Sequence, residues 1–380
     1  MKRITVEPRP DWRAKVERLG LLFHTEPGRR DGGAYWNEAA YYELTEAEAT
    51  AIETATNDLH AKCLEAVQRV KDTGRWRDLK IADPLVPAIE WAWEAEPPSI
   101  YGRFDFTLVD GVPKLLEYNA DTPTTLLESA VVQWHWAQEV LPGRGQFNAI
   151  WESLVAYWTW CREHDFLKGD RVHFASGEAL EDLMTVATLQ DAAREAGLVT
   201  EMLRMEDIGW DGARFVDLDN RAIRTVFKLY PWEFMLAENF ARPMLGTYKD
   251  VQWIEPIWKA ALSNKAILAL LWEFFPDCPY LLPCYLDGPR DLARYVRKPI
   301  FGREGANVSI YGAEGEATMG GTYGREGFVT QAFAPLLDFE GNRPIVGSWV
   351  VDGESCGVGI READGPITGN LSRFVPHAIA

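Results

Sequence analysis

Helical spacing of apolar residues predicts the elements of the first part of this 380-residue chain. Thr45 and Glu48 have the spacing of a capping box, and apolar residues keep helical spacing from there to Val70. Thr73-Gly74 then ends the predicted helix. A second helical stretch covers residues 126–164 and is interrupted at Pro142-Gly143.

The pattern then changes to strand, helix and strand. Residues 171–175 and 198–205 have the character of strands, and residues 179–196 have helical spacing that ends at Gly197. Strands joined by a helix usually lie parallel in one sheet. This stretch therefore predicts a small parallel-sheet unit.

The remainder of the chain is dominated by predicted strands. Residues 215–218 and 223–230 flank Asn220 and indicate a hairpin, whereas a helix is predicted from a Ser263 cap to Phe275, before Pro276. Gly-rich turns separate the later strands, which are predicted at 295–300, 307–311, 328–333, 345–351 and 355–360. Helices and a parallel unit followed by an antiparallel sheet indicate an α+β or mixed α/β enzyme.

Residues 101–119 are the most informative stretch and predict a β-hairpin that turns at Asp110-Gly111. A two-residue loop would place Asp105 and Glu117 on opposite faces. A three-residue loop with a left-handed Gly111 would instead gather four polar residues on one face, namely Arg103, Asp105, Glu117 and Asn119. The other face would then hold Phe104, Phe106, Leu108, Leu116 and Tyr118. We expect the three-residue loop because it gives a wholly apolar face.

An arginine, two carboxylates and a carboxamide on one face suit a magnesium–phosphate site. Mg²⁺ takes oxygen ligands, often carboxylates together with substrate phosphates. Arg103, two residues before Asp105, can bind a phosphate with its guanidinium fork. The hydroxyl-rich residues 120–125 follow and lead into a predicted helix, whose first N–H groups are free to bind anions. A solvated hairpin face with alternating charges is the alternative.

A second cluster lies at residues 297–307, where a predicted strand carries Lys298 into a loop with Gly302, Arg303 and Gly305. Such a loop can cover phosphates, because its N–H groups and Arg303 neutralise their charge. Its spacing matches neither the P-loop nor the dinucleotide-binding pattern. A plain β-turn is therefore the alternative.

Lys265 and Gln331 are two further candidates. Lys265 falls in the first turn of a predicted apolar helix, where a cation opposes the helix dipole. We therefore expect a compensating anion, either a nucleotide phosphate or a neighbouring acidic side chain. Gln331 lies in an apolar strand, where its amide could meet an adenine edge or a backbone neighbour.

Composition and charge argue against several function classes. The chain is 47% hydrophobic, and 39 basic against 57 acidic residues give a net charge of −18. This charge argues against nucleic-acid and anionic-membrane partners and is compatible with a cationic substrate. Five spread cysteines without a C-x-x-C motif indicate neither a disulfide framework nor a zinc site. With no signal-like or membrane-length apolar run, we expect a cytoplasmic protein.

Six segments, in this combination and order, resemble the synthetase domain of the glutathionylspermidine synthase family. They are Tyr-Gly-Arg-Phe-Asp ending at Asp105, Leu-Leu-Glu-Tyr-Asn-Ala-Asp-Thr-Pro-Thr ending at Thr124, Phe-Lys-Leu-Tyr-Pro-Trp-Glu ending at Glu233, Ser-Asn-Lys ending at Lys265, Arg-Lys-Pro-Ile-Phe-Gly-Arg-Glu-Gly ending at Gly305, and Gly-Ile-Arg-Glu ending at Glu362. The resemblance covers nearly the whole chain. It implies an ATP-grasp-like enzyme that joins a carboxylate to an amine through an acyl phosphate.

The resemblance also implies roles for individual residues. The implied magnesium ligands are Asp105, Glu117 and Asn119. The implied phosphate-binding arginines are Arg103, Arg303 and Arg361. The implied ATP contacts are Lys265, Lys298, the loop from Gly302 to Gly305, and Gln331 at the adenine. Because the Glu-x-Asn pair precedes both lysines, the motif order is permuted, as in eukaryotic glutathione synthetase.

The expected architecture is an ATP-grasp-like catalytic region formed by residues 1–125 and 216–380, with a pre-ATP-grasp parallel-sheet unit at 126–215. We expect no amidase domain of the kind found in the bifunctional synthase, since the match begins within the first hundred residues. The expected reaction uses ATP and Mg²⁺ to join a small carboxylate, such as a peptide, to an amine, such as a polyamine, with Glu233 as a candidate to hold the amine. A catalytically silent nucleotide-binding module and an ATP-grasp phosphotransferase are the alternatives.

Overall fold

The structure is a computed structural model that describes residues 1–25, 33–312, 315–369 and 372–380. In these ranges the α-helices are α1 (Trp12–Arg18), α2 (Glu46–Thr73), α3 (Val86–Ala95), α4 (Gln133–Val140), α5 (Ile150–Glu163), α6 (Leu180–Glu195), α7 (Trp232–Met235), α8 (Ala241–Thr247) and α9 (Ala266–Phe274). Short 3₁₀ segments lie at Arg75–Leu79, Asp83–Leu85, Met205–Asp207 and Ile257–Ala261, and a π-helical turn at Glu128–Val132 precedes α4.

The strands of the same ranges are β1 (Lys2–Thr5), β2 (Ala40–Leu44), β3 (Tyr101–Val109), β4 (Val112–Asn119), β5 (Val172–Ser176), β6 (Thr200–Arg204), β7 (Gly209–Trp210), β8 (Phe215–Val216), β9 (Thr225–Leu229), β10 (Gln252–Ile254), β11 (Cys284–Tyr285), β12 (Tyr295–Pro299), β13 (Ser309–Tyr311), β14 (Ala317–Thr318), β15 (Phe328–Ala332), β16 (Arg343–Val351), β17 (Glu354–Ala363), β18 (Arg373–Val375) and β19 (His377–Ile379). The predicted strands at 295–300, 307–311, 328–333, 345–351 and 355–360 are confirmed as β12, β13, β15, β16 and β17.

Two five-stranded antiparallel sheets form the larger part of the fold. The first has the order β18-β17-β16-β3-β4 and the second has the order β11-β15-β12-β13-β14. A small sheet with the order β1-β2-β19 brings the two ends of the chain together. The mixed α/β class with a C-terminal antiparallel sheet is therefore confirmed.

A four-stranded parallel sheet has the order β10-β9-β5-β6. The predicted unit of β5, α6 and β6 is confirmed. The predicted hairpin around Asn220 is confirmed as a short one, since Val216 and Ala222 form an antiparallel bridge and the Ile223 N–H donates to the Phe215 carbonyl at 2.9 Å. It does not extend further, because β9 pairs in parallel with β5 and β10. Only the short β8 precedes the turn, and it pairs antiparallel with β7. The division of the chain into domains at residue 215 stays a prediction, although the parallel sheet continues beyond that residue.

Helix α2 packs one apolar stripe against the first antiparallel sheet. Its capping box is confirmed, since Thr45 Oγ1 accepts the Glu48 N–H at 3.2 Å and Glu48 Oε2 accepts the Thr45 N–H at 2.9 Å. Gly74, with a φ of 65°, ends the helix. The buried stripe consists of Ile52, Ala55, Thr56, Leu59, Cys63, Ala66, Val67 and Val70. Burying such a stripe supplies most of the stability of a helix like this.

Helix α9 begins two residues later than the predicted Ser263 cap allows. Its first residue is Ala266, whose N–H is accepted by Asn264 Oδ1 at 3.1 Å. The Ser263 cap is therefore wrong, because the asparagine side chain supplies the acceptor.

A buried ion pair and a buried carboxylate join the parallel sheet to strands β3 and β4. Lys228 of β9 donates to Asp121, just after β4, at 2.7 Å, and both side chains are fully buried. Burial lowers the pKa of Lys228 and raises the pKa of Asp121. Beyond β10, Glu255 accepts the N–H groups of Ile100 and Tyr101 at 2.9 and 3.0 Å. These contacts fix the position of the parallel sheet relative to the β3–β4 hairpin.

No helix in the described part of the chain is long and apolar enough to cross a membrane. All five cysteines are buried and unbridged, namely Cys63, Cys161, Cys278, Cys284 and Cys356.

We expect the buried Lys228–Asp121 pair to contribute strongly to the free energy of unfolding. Asp121→Asn should lower the free energy of unfolding by about 3 kcal/mol, because it leaves a buried ammonium without its counter-ion. Glu65→Gln, which breaks the exposed Glu65–Arg69 pair of α2, should cost only about 0.5 kcal/mol. Urea unfolding measures both losses.

The double variant Asp121→Asn/Lys228→Met is the control for this prediction. It should regain most of the lost stability, since the buried cation is removed together with its partner. Equal urea midpoints for Asp121→Asn and Glu65→Gln would show that the buried pair has no special weight.

Candidate active site

The β3–β4 hairpin closes with a two-residue turn. Val109 pairs with Val112, and the loop residues Asp110 and Gly111 have φ angles of 51° and 80°. Two positive φ angles are typical of the tight turns that match the twist of a hairpin, and Asp-Gly is a preferred sequence for them. The predicted three-residue loop is therefore wrong.

A β-bulge nevertheless places the predicted polar residues on one face. Phe106 pairs with Leu115, whereas Asp105 pairs with Glu117, so that Leu116 is an extra residue in β4. Glu117 thus lies opposite Asp105, and Asn119 lies opposite Arg103. The expected polar face is confirmed, although by the bulge rather than by the turn.

The opposite face of the hairpin is apolar, as predicted, but Leu116 was wrongly predicted to lie on it. Phe104 and Tyr118 stack with their ring centroids 3.8 Å apart. Leu116 lies outside the core cluster that holds Phe104, Phe106, Leu108 and Tyr118, and Leu115 takes its place there. Its position follows from the bulge, which turns the extra residue out of the regular alternation.

Basic side chains surround the two carboxylates of this face. Asp105 accepts both Arg103 Nε at 2.7 Å and Arg361 Nη2 at 2.8 Å, and Glu117 Oε2 lies 2.9 Å from Lys265 Nζ. The Asn119 amide nitrogen lies 3.4 Å from Asp105 Oδ2 and 3.5 Å from Glu117 Oε1. Burial favours the neutral form of Glu117, but Lys265 and Lys298 outweigh it and lower the pKa of this carboxyl.

Lys298 and Gln331 connect the second antiparallel sheet to the bulge. Lys298 Nζ donates to the Leu116 carbonyl at 2.8 Å and to Gln331 Oε1 at 2.7 Å, and Gln331 Nε2 donates to the Leu115 carbonyl at 3.0 Å. Gln331 thus meets backbone, which was one of its two expected partners. Burial lowers the pKa of Lys298 to about 8, although Glu117 opposes the shift.

Lys265 connects α9 to the loop that begins at Gly302. Its ammonium donates to the Gly302 carbonyl at 2.7 Å and pairs with Glu117. The acidic neighbour expected as one alternative is therefore present. Gly305 has a φ of 70°, and a Cβ there would lie 2.5 Å from the Thr368 carbonyl oxygen, so this loop position requires glycine.

Arg303 extends from this loop to Thr122, which follows β4, and to Glu233 in α7. Its Nη1 donates to Thr122 Oγ1 at 2.9 Å and its Nη2 donates to Glu233 Oε1 at 2.6 Å. Among the described residues, its buried Nε has no hydrogen-bond partner. Glu233, the candidate for holding an amine, thus lies paired with an arginine.

Every predicted site residue lines one cavity of about 450 Å³. The residues are Arg103, Asp105, Glu117, Asn119, Lys265, Lys298, Gly302, Arg303, Gly305, Gln331 and Arg361. The structure therefore brings together side chains that lie up to 258 positions apart in the sequence. The cavity lies where both antiparallel sheets, α9 and the carboxyl end of β5 meet.

Sequence reasoning missed an acidic part of this cavity. Glu181 and Asp182, in the first turn of α6, line it together with Tyr35, whose hydroxyl donates to the buried Glu128 at 2.7 Å. Burial, with Glu181 beside it, raises the pKa of Asp182 to about 6. Acidic residues in the first turn are common in helices, so these two give no separate signal in the sequence.

The cavity thus has a basic and an acidic part. Asp105, Glu117 and Asn119 present carboxylate and amide oxygens on neighbouring strands, which is the donor chemistry that Mg²⁺ prefers. Among the described residues, four cations that line the cavity pair with three carboxylates: Arg103 and Arg361 with Asp105, Lys265 with Glu117, and Arg303 with Glu233. Around Asp105 and Glu117 the cations outnumber the carboxylates, since Arg103, Arg361, Lys265 and Lys298 surround these two acids. This local surplus of positive charge suits a polyanion with a bound divalent cation.

Comparison with known proteins finds relatives that match nearly the whole chain. The family model described as glutathionylspermidine synthase preATP-grasp matches residues 3–380. A Haemophilus influenzae protein described as "Putative acid–amine ligase" is 40% identical over 99% of both chains. Crithidia fasciculata trypanothione synthetase is 32% identical over 88% of this chain and 56% of its own length.

The bifunctional glutathionylspermidine synthetase/amidase of Escherichia coli is 29% identical over 71% of this chain and 48% of its own length. The chain thus spans about half the length of this relative and of trypanothione synthetase. A glutathione synthetase-like effector from Globodera pallida superposes with a TM-score of 0.55 at 10% identity, over 90% of this chain and 89% of its own. This likeness shows the fold, which is of the ATP-grasp type.

The family model and the Haemophilus protein both match the part of the chain that contains the residues of the cavity. The chain belongs to the glutathionylspermidine synthase family and is an ATP-dependent carbon–nitrogen ligase.

Proposed function

We propose that the protein uses ATP and Mg²⁺ to join a small-molecule carboxylate to an amine through an acyl phosphate, releasing ADP and phosphate. One observation carries this proposal: the cavity has two parts of different charge. In one part, arginines and lysines surround Asp105, Glu117 and Asn119, and in the other, Glu181 and Asp182 form an acidic lining. A ligase of this kind must bind a triphosphate, a carboxylate and an amine side by side. The names of the relatives support the reaction class.

The metal-binding role falls to Asp105, Glu117 and Asn119. Their oxygens would hold Mg²⁺, which when bound neutralises phosphate charge and orients the terminal phosphoryl group. In the structure Lys265, Arg103 and Arg361 balance the two carboxylates. With the carboxylates bound to a metal ion, these three cations would be free to bind phosphate oxygens.

The nucleotide-binding role falls to the wall between the two antiparallel sheets. Lys298 and Gln331 donate to the carbonyls beside the bulge, and Gly302 to Gly305 line the same cavity. We assign Lys265 and Lys298 to the phosphates, Gly302 and Gly305 to the covering loop, and Gln331 to the adenine. The partly polar, partly apolar lining there suits a base above a phosphate chain.

Arg103, Arg361 and Arg303 have the chemistry required for phosphoryl transfer. A carboxylate and a triphosphate repel each other, so their approach needs fixed positive charge that does not have to reorganise. Arg103 is held by Asp105 and by the Thr124 carbonyl at 2.6 Å, which fixes its guanidinium. We assign Arg103 and Arg361 to the transferred phosphoryl group and Arg303 to the carboxylate substrate.

We assign the acidic part of the cavity to binding and deprotonation of the amine substrate. Glu181 and Asp182 would hold an ammonium group, which must lose a proton before its nitrogen attacks the acyl carbon. A carboxylate whose pKa is raised to about 6 accepts that proton more readily than an ordinary aspartate. The ammonium gives one proton to the carboxylate, and the free amine then bonds to the acyl carbon while the acyl C–O bond to phosphate breaks. The second proton of the nitrogen leaves with the departing phosphate.

The direct test is ADP release by the purified protein with ATP, Mg²⁺ and a panel of carboxylates and amines. ADP and free phosphate that depend on both substrates would support the ligase. A phosphorylated product without amine would instead indicate a phosphotransferase, and nucleotide binding without turnover would indicate a silent module.

Asp105→Asn is the matched variant for this assay. It keeps the shape of the side chain but removes the charge that faces Arg103 and Arg361, so ADP release should fall by about 10²–10³-fold. Circular dichroism should show an intact fold. Wild-type turnover in this variant would contradict the metal assignment.

The pKa of Lys298 predicts how ATP binding depends on pH. Because this pKa is lowered to about 8, the ammonium loses its charge as the pH rises through 8, and the attraction for phosphate is lost with it. ATP affinity should therefore fall by about tenfold between pH 7 and pH 9. Fluorescence titration with a labelled ATP analogue measures this.

Lys298→Arg is the control, since arginine stays charged throughout this range. Its ATP affinity should change little between the same two pH values. An equal fall in both proteins would assign the pH dependence to another group.

A further inference from the structure

Three side chains that can bind a metal ion lie together near the start of β5, whereas the active-site cavity lies at the end of this strand. His173, the second residue of β5, pairs in register with Glu201, the second residue of β6. Residues paired in register on neighbouring strands project from the same face of the sheet. Asp217 follows β8, and one ligand atom from each of the three residues lies within 4.8 Å of the other two.

The imidazole of His173 and the carboxylate of Asp217 are both fully buried. Asp217 Oδ1 accepts the N–H groups of Asp219 and Arg221 at 3.0 and 2.8 Å, and Oδ2 lies 3.3 Å from His173 Nε2. Arg221 Nη1 is 3.9 Å from Oδ2, which is beyond hydrogen-bond distance. Among the described residues, His173 Nδ1 has no hydrogen-bond partner. A buried imidazole with one long contact can therefore bind a further group.

The distance between the two buried groups matches tetrahedral zinc coordination. Zn²⁺ lies about 2.0–2.1 Å from a histidine nitrogen and about 2.0–2.2 Å from a carboxylate oxygen. Two such ligands of a tetrahedral ion lie about 3.3 Å apart, which is the separation of His173 Nε2 and Asp217 Oδ2. The Glu201 side chain is 25% exposed, so it can turn toward the ion as a third ligand, with water as the fourth.

The charged groups around these ligands favour a divalent cation. Glu201 pairs with Arg171 at 3.0 Å and with Arg221 at 3.4 Å. Each arginine also has a second carboxylate nearby, which is Asp170 at 3.5 Å for Arg171 and Asp219 at 2.8 Å for Arg221. Both arginines therefore keep a partner when Glu201 binds a cation. With the two carboxylates of the cluster itself, four carboxylates face these two arginines, which leaves two negative charges for a divalent ion to neutralise.

We propose that His173, Glu201 and Asp217 bind a divalent transition-metal ion, for which Zn²⁺ fits best. One imidazole nitrogen and two carboxylates suit Zn²⁺, whereas Mg²⁺ and Ca²⁺ prefer sites made of oxygen ligands alone. The bound ion would connect β5, β6 and the segment between β8 and β9, and so stabilise the parallel sheet. The site is independent of the proposed function, because it lies at the opposite end of β5 from the active-site cavity.

The test is Zn²⁺ binding to the full chain after removal of metals by chelation, measured by equilibrium dialysis and elemental analysis. In Glu201→Gln the dissociation constant of the site should rise about tenfold or more, because glutamine keeps the shape of the side chain but removes a charged ligand. Glu201 is partly exposed, so this variant should fold, and circular dichroism checks the fold.

Two control variants separate this site from other carboxylates. Glu53→Gln removes an exposed carboxylate of α2, and Asp105→Asn removes a ligand of the proposed active-site metal. Both should bind Zn²⁺ at the His173 site as tightly as the wild type. Zn²⁺ binding that is lost in Asp105→Asn and kept in Glu201→Gln would assign the ion to the active-site cavity and overturn the inference.

Co²⁺ provides a second measurement, because tetrahedral Co²⁺ absorbs visible light strongly and six-coordinate Co²⁺ absorbs it weakly. The wild-type protein loaded with Co²⁺ should show the strong absorption, and Glu201→Gln should lose it. Weak absorption by the wild type, or equal Zn²⁺ affinities of the wild type and Glu201→Gln, would contradict the assignment. Neither measurement needs turnover, so this proposal and the ligase can fail separately.

Discussion

The β-bulge at Leu116 is the constraint on which the site depends. Without the extra residue, the tight Asp110-Gly111 turn would place Glu117 on the face opposite Asp105. With it, both carboxylates face the cavity while Phe104 and Tyr118 stay stacked in the core. The carbonyls beside the bulge also accept hydrogen bonds from the second sheet. One irregularity in β4 thus positions the two carboxylates and connects the first antiparallel sheet to the second.

Local signals in the sequence predicted most elements of the fold, because caps, glycine stops and alternation act over a few residues. The capping box at Thr45 and the strands of the C-terminal sheet are examples. The bulge was not predicted, because a three-residue loop accounts for the same polar face, and the alternation of residues does not show whether the extra residue lies in the turn or in the strand. The position of β9 was also missed, because Asn220 does form a left-handed turn, with a φ of 59°, while the strand after it pairs with β5, about fifty residues earlier. Such pairings depend on tertiary contacts rather than on local pattern.

The predicted site residues depended on a resemblance as much as on chemistry. Gln331 and Lys265 alone each allowed two interpretations, and the structure shows the protein neighbour in each case. The acidic part of the cavity was not predicted, because acidic residues such as Glu181 and Asp182 are common in the first turn of a helix. What makes them distinctive is their position at the end of β5, opposite Arg303, which is a property of the folded chain. The assignment of ATP and Mg²⁺ to individual residues remains a proposal, supported by charge and donor chemistry.

The central claim is that Asp105, Glu117 and Asn119 together bind the divalent cation of the nucleotide. The most direct measurement is an anomalous difference map from a crystal soaked with Mn²⁺ and a non-hydrolysable ATP analogue. We expect a manganese peak at coordination distance from oxygens of these three side chains, with the terminal phosphate beside Arg103. A peak at Glu181 and Asp182, with these three side chains still bound to their arginines and lysine, would contradict it.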